Sequence, residues 1–77
     1  MAKAPTQREQ IVNYIRKYGS ITRLDAARDL FIFELSARII DLQKRGFVFS
    51  KKWENHKNRL GQTKTFVRYF LEEEGAL

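Results

Sequence analysis

The side chains in this sequence with chemistry to offer are mostly cations, and they crowd into its second half. Residues 44–68 hold Lys44, Arg45, Lys51, Lys52, Lys57, Arg59, Lys64 and Arg68 against one acid, Glu54, a net +7. Residues 1–43 net only +2, from seven bases and five acids, and residues 69–77 net −3 through Glu72, Glu73 and Glu74. Ammonium and guanidinium groups gathered in this way neutralise a polyanion and release its counterions, so the chemistry in view is phosphate binding. Within the cluster Lys57 and Arg59 flank Asn58 in a polar segment, and Lys51, Lys52 and Lys64 stand on either side of it. A solvated basic hairpin would have the same composition, and the sequence leaves both readings open.

Catalytic and metal chemistry have little to work with. His56 stands alone, without a second His, a Cys or a clustered acid at ligand spacing, so no metal site is expected. There is no nucleophile–base pair and no phosphate-cradling glycine loop, and three adjacent glutamates usually form a solvated run. A chain of 77 residues also has little material with which to enclose a pocket. No enzyme activity and no cofactor are expected. The lack of cysteine suits a reducing cytoplasm, the expected location. No apolar run nears the roughly 20 residues of a membrane span, and no signal-peptide core is present.

The elements that must position the cations can be read from caps and spacing. With 43% hydrophobic residues the chain is compositionally globular, one small domain near the lower size limit for independent folding. Residues 1–5 are expected to be disordered. Thr6-Gln-Arg-Glu9 is a capping box, after which Ile11, Val12, Ile15 and Tyr18 trace one helical face, with Tyr14 at its edge and Gly19 as the stop. Ser20-Ile21 has room only for an extended link or a minimal strand. Thr22 opens a second helix whose apolar set is Leu24, Ala27 and Leu30, with Ala26 keeping the surface small for a neighbour. The next turn, Phe31-Ile32-Phe33, is unusually apolar, so part must plug the core and the rest must form an exposed tip.

Leu35, Ile39 and Leu42 then share one stripe of a third helix over residues 35–45, closed by Gly46. After Gly46 the period becomes two. Phe47, Phe49, Lys51 and Trp53 point one way, and Val48, Ser50, Lys52 and Glu54 the other. Core is the expected place of Trp53, with a stacking platform as the alternative. Residues 54–62 read as a long loop, residues 63–71 as a return strand, and residues 72–77 as an acidic tail with no anchor. The expected class is therefore α+β: three helices and a two- to three-stranded antiparallel sheet, with the domain spanning residues 6–71.

Helix, link, helix, tight turn, helix and basic hairpin is the order of a winged helix-turn-helix. Gly-Ser-Ile-Thr after the first helix, Asp-Ala-Ala-Arg-Asp-Leu in the second and Ser-Ala-Arg-Ile-Ile-Asp-Leu-Gln-Lys-Arg-Gly in the third resemble small phage and prophage winged helix-turn-helix proteins. The aromatic strand, basic loop and Arg-Tyr-Phe-Leu return strand extend the resemblance over residues 7–71. Such proteins include transcriptional regulators and excision factors. The sequence departs from their pattern at Phe33, where a Thr or Ser cap is more usual, and at the acidic tail.

The resemblance implies that the third helix enters the major groove of double-stranded DNA, with Ser36, Ala37, Ile40, Asp41 and Lys44 toward base edges and Arg38 and Arg45 beside them. Each has a plainer alternative. Arg38 and Asp41 are at pairing distance along the helix, and Ile40 would meet either a thymine methyl or a neighbouring side chain. Lys51, Lys52, Lys57, Asn58, Arg59 and Lys64 would supply wing contacts to phosphate or the minor groove, and Arg23 and Arg28 further backbone contacts. Both faces of the return strand are apolar, so Phe66 and Phe70, or the Phe31–Phe33 turn, are expected at a homodimer interface. A second function class stays open: a protein-binding module that reuses the fold, such as a phage inhibitor of a host defence protein, supported by Phe31, Phe33, Ile40, Phe66 and Phe70.

Overall fold

Capping residues fix where the helices begin. In the computed structural model, which describes residues 6–77, Thr6 accepts a hydrogen bond from the Glu9 amide at 3.2 Å and opens α1 (Gln7–Tyr18). The disorder expected of residues 1–5 lies outside the described residues. Gly19, at φ 91°, closes α1 in the left-handed conformation that a glycine takes without strain. β1 (Ile21–Thr22) comes next, and Thr22 exchanges hydrogen bonds with Asp25 at 3.1 Å in both directions, a full capping box for α2 (Arg23–Leu30). α3 (Leu35–Lys44) starts at Glu34 with no side-chain cap. It ends in a Schellman turn: Phe47 N–H donates to Leu42 O and Gly46 N–H to Gln43 O, both at 3.1 Å.

The long hairpin is β2 (Val48–Lys57) and β3 (Thr63–Glu73). β3 lies between its partners in an antiparallel sheet of order β1-β3-β2, with Ile21 opposite Tyr69 and Lys51 opposite the same residue on the far side. The core is what the three helices close over one face of this sheet: Ile11, Val12 and Ile15 from α1, Ile21, Ala26, Leu35, Ile39, Leu42, Phe47 and Tyr69. Ile32 fills the remaining space from the α2–α3 turn, while Phe31 and Phe33 stay 74% exposed, so the turn divides as its sequence requires.

Several expectations need correction. Tyr18, assigned to the buried face of α1, is exposed, its ring 4.6 Å from that of Tyr14, because the core ends one turn earlier at Ile15. In α2 the buried residue is Ala26; Leu24 is half exposed and Ala27 and Leu30 are half-buried. Leu24 lies two residues, about 200°, round the helix from Ala26, so the two cannot face the same way. Trp53 is not core but 68% exposed. It pairs across the hairpin with Val67, two residues beyond Tyr69, at the edge of the core rather than within it.

Two boundaries move as well. The loop expected over residues 54–62 shrinks to 58–62, because pairing continues through Glu54–Phe66, Asn55–Thr65, His56–Lys64 and Lys57–Thr63. Glu72 and Glu73, read as the start of a tail, lie in β3. The chain beyond β3 is anchored, with Arg16 paired to Glu74 and Ala76 N–H donating to Arg45 O at 3.1 Å.

Candidate nucleic-acid interface

α3 turns Leu35, Ile39 and Leu42 inward, and that burial decides what it offers outward. Ser36, Ile40, Gln43 and Lys44 are exposed, spaced four, three and one apart along one side of the helix. Ala37 is half-buried beside them. Arg38 and Asp41, also half-buried, pair with each other at 3.3 Å, so both ends of that pair already have a partner. Ile40 is 51% exposed, and of the two readings of this side chain, the packed one does not hold within a single copy of the chain. Arg45 is the C-cap, with its side chain exposed and its carbonyl held by Ala76.

α2 places its two arginines differently. Arg28 is tied to Asp29 at 2.9 Å and to Asp25 at 3.0 Å, which raises its pKa further and leaves its charge compensated. Arg23, the first residue of α2, is exposed and lies 5.3 Å from the centre of the Phe66 ring, a cation–π contact that tethers the guanidinium to the hairpin. Phe66 and Phe70 are both half-buried within a single copy of the chain.

The hairpin carries the free cations. Lys51, Lys52, Lys57, Arg59 and Lys64 are exposed, and no ion pair holds any of them among the described residues. Glu54, the one acid in this region, is occupied by Arg68 at 2.9 Å and His56 at 3.5 Å. The Arg68 guanidinium is the main reason that the Glu54 carboxyl is held below its usual range. Lys51 and Lys52 point to opposite faces of β2, and Lys51 lies 5.9 Å from the Tyr69 ring centre. Asn58 builds the turn: its side-chain oxygen accepts from Leu60 N–H at 2.9 Å and Gln62 N–H at 3.0 Å. That occupation makes it a turn-former before it is a contact residue.

A groove of about 200 Å³ joins the two halves. Arg23, Leu35 and Ser36 line it from the helices, and Trp53, Thr65 and Phe66 from the hairpin. The start of α3, the start of α2 and the middle of the hairpin therefore share one concave surface. Sequence reasoning missed or misread three exposed residues: Gln43, left off the outward list of α3; Trp53, which lines the groove but was placed in the core; and Leu60, 83% exposed at the hairpin tip. The signal for Gln43 was present, since it comes after Ser36 and Ile40 at helical spacing. Leu60 gave none beyond being an apolar residue in a turn.

Two helices joined by a tight turn, the second with a free polar face, beside a basic hairpin on a three-stranded sheet, define a winged helix-turn-helix, a DNA-binding class of fold. A family model described as winged helix-turn-helix domain matches residues 6–74, and the chain belongs to that family. No curated protein and no solved structure matches it. No helix among the described residues is long and apolar enough to cross a membrane.

Proposed function

We propose that this protein binds double-stranded DNA without catalysis, α3 in the major groove and the wing against phosphate, as a transcriptional regulator or excision-type architectural factor of a phage or prophage. The observation that carries the reading is the partition of charge. Of the eight cations between residues 44 and 68, only Arg68 is held in an ion pair among the described residues, whereas three of the six between residues 6 and 43, Arg16, Arg28 and Arg38, are paired. Cations left unpaired on a protruding hairpin are available to phosphates. The bacterial host cytoplasm is the corresponding location.

Replacing Lys57 and Arg59 together with Ala tests this. Affinity for all duplexes should fall about equally, and the slope of log affinity against log salt should flatten by roughly one to two units. An unchanged slope with an intact fold would remove the wing from the interface.

A second reading draws on a different observation, the Phe31 and Phe33 rings standing 74% exposed side by side in the α2–α3 turn. They would serve a homodimer, which gives a small module its second half-site, or a host protein. Binding to a host protein through such an apolar surface would change little with salt, which separates it from the first reading.

A further inference from the structure

We infer that the tip of the wing is a minor-groove wedge, in which Leu60 enters between base pairs and bends the duplex. Leu60 is the most exposed large hydrophobic side chain among the described residues, at 83%. It sits at the far end of a hairpin whose ten-residue first strand spans roughly 33 Å at about 3.3 Å per residue. The turn holding it is closely bonded. Besides the two bonds to the Asn58 side-chain oxygen, Asn58 N–H donates to Gln62 O at 2.9 Å and Gly61 N–H to Asn58 O at 3.1 Å. The Asn58 side-chain Nδ2 also donates to Gln62 Oε1 at 3.2 Å, and Gly61 takes φ 81°. Arg59 and Leu60 are left as the two central corners.

This geometry needs Asn58 and Gly61. It does not need a leucine, and turn corners usually carry polar residues, so the side chain has no part in holding the fold. What surrounds it points to the occupant. Arg59 beside it, Lys57 at the end of β2 and Lys64 near the start of β3 are exposed and free of ion pairs among the described residues, a positive collar behind an apolar point. The minor groove of B-DNA is about 6 Å wide and strongly negative, and proteins that bend DNA there insert Leu, Phe or Ile between base steps while cations hold the flanking phosphates. An apolar pocket on another protein would match the leucine but not the collar.

The inference rests on the DNA reading, and the experiment separates the two. The full chain is titrated at low salt into a duplex of about 30 base pairs with fluorophores at its ends and TA steps, which kink readily, at its centre. Energy transfer reports end-to-end distance, and anisotropy reports binding. The wild type should bind and shorten the duplex by a bend within roughly 20–90°. Leu60→Ala, whose fold is checked by circular dichroism, should bind with an unchanged salt slope and lose most of the bend. Lys57→Ala with Arg59→Ala should instead flatten the slope. Binding by the wild type without bending, or equal bending by Leu60→Ala, would overturn the wedge and leave DNA binding standing. No binding to any duplex would overturn both and leave the tip to a protein partner.

Discussion

Phe31 adopts the one backbone conformation that its side chain suits least. At φ 55°, ψ 33° it is the only non-glycine residue with positive φ among those described, and it ends α2 where a glycine is usual. For a residue with a Cβ this conformation costs about 1–2 kcal/mol, while glycine's extra freedom in the unfolded chain returns part of that. The ring is 74% exposed and contributes little packing to offset the strain. Phe31→Gly should therefore raise stability, by about 0.5–1 kcal/mol in denaturant unfolding. If the strained phenyl is retained for self-association, the same variant should sediment as a monomer at micromolar concentration where the wild type dimerises. A variant less stable than the wild type would mean that Phe31 supports the fold through packing. The apolar turn was legible in the sequence, because three large side chains in a row cannot all fit a core; which one enters it was not, since that depends on where α2 stops.

Among the elements, the segment after β3 departs furthest from its sequence. Glu74 holds Arg16 of α1 with Nε–Oε2 at 3.2 Å, and Ala76 N–H donates to the carbonyl of Arg45, the C-cap of α3. Gly75 lies so close to the Arg45–Gly46–Phe47 backbone that a Cβ on it would overlap the Arg45 carbonyl oxygen. These contacts make the segment a strap joining α1 to the end of α3. Gly75→Ala should displace the strap and lower stability by about 1–3 kcal/mol, the usual range for overpacking, and Gly75→Ser should do at least as much. A wild-type midpoint for Gly75→Ala would show that the strap contributes nothing to the fold. No local pattern announced it, because its partners are 58 residues away in the case of Arg16 and about 30 in the case of Arg45. Helix ends were legible for the opposite reason: Thr6 with Glu9, and Thr22 with Asp25, act within one turn. The outer part of β2, residues 54–57, was misread as loop since little of it is buried, which removes the apolar alternation that reveals a strand.

Across the whole molecule, three acids, Asp25, Asp29 and Glu54, form one connected set with Tyr14, Arg28, Arg68 and His56. Tyr14 OH donates to Asp29 at 2.6 Å, Arg28 joins Asp29 to Asp25, Arg68 lies 3.7 Å from Asp25 and 2.9 Å from Glu54, and Glu54 reaches His56. The set ties α1, α2, β3 and β2 together and sets the pH range of the fold. Asp29 is held at about 2, first by the Arg28 guanidinium and then by the Tyr14 hydroxyl. Glu54 and Glu74 are also lowered, by Arg68 and Arg16 in turn. A carboxyl more acidic when folded contributes stability above its unfolded pKa and loses it as pH falls; for Asp29 the loss runs from 3.8 down to about 2. Tyr14 is raised from 10.0 to about 12, by burial first and then by its bond to Asp29. A group so raised stabilises fully below its unfolded pKa and loses that contribution as pH climbs from 10.0 to about 12. Melting temperature should therefore hold between about pH 5 and pH 10 and decline on both sides. Tyr14→Phe should flatten the alkaline limb and leave most of the acid one, and Asp29→Asn should flatten part of the acid limb. Because the carboxylates and arginines lie near the surface, the acid limb should weaken as salt is added, whereas the burial share of the Tyr14 effect should persist. An alkaline limb identical in Tyr14→Phe and wild type would assign that decline to lysine deprotonation and remove Tyr14 from the account.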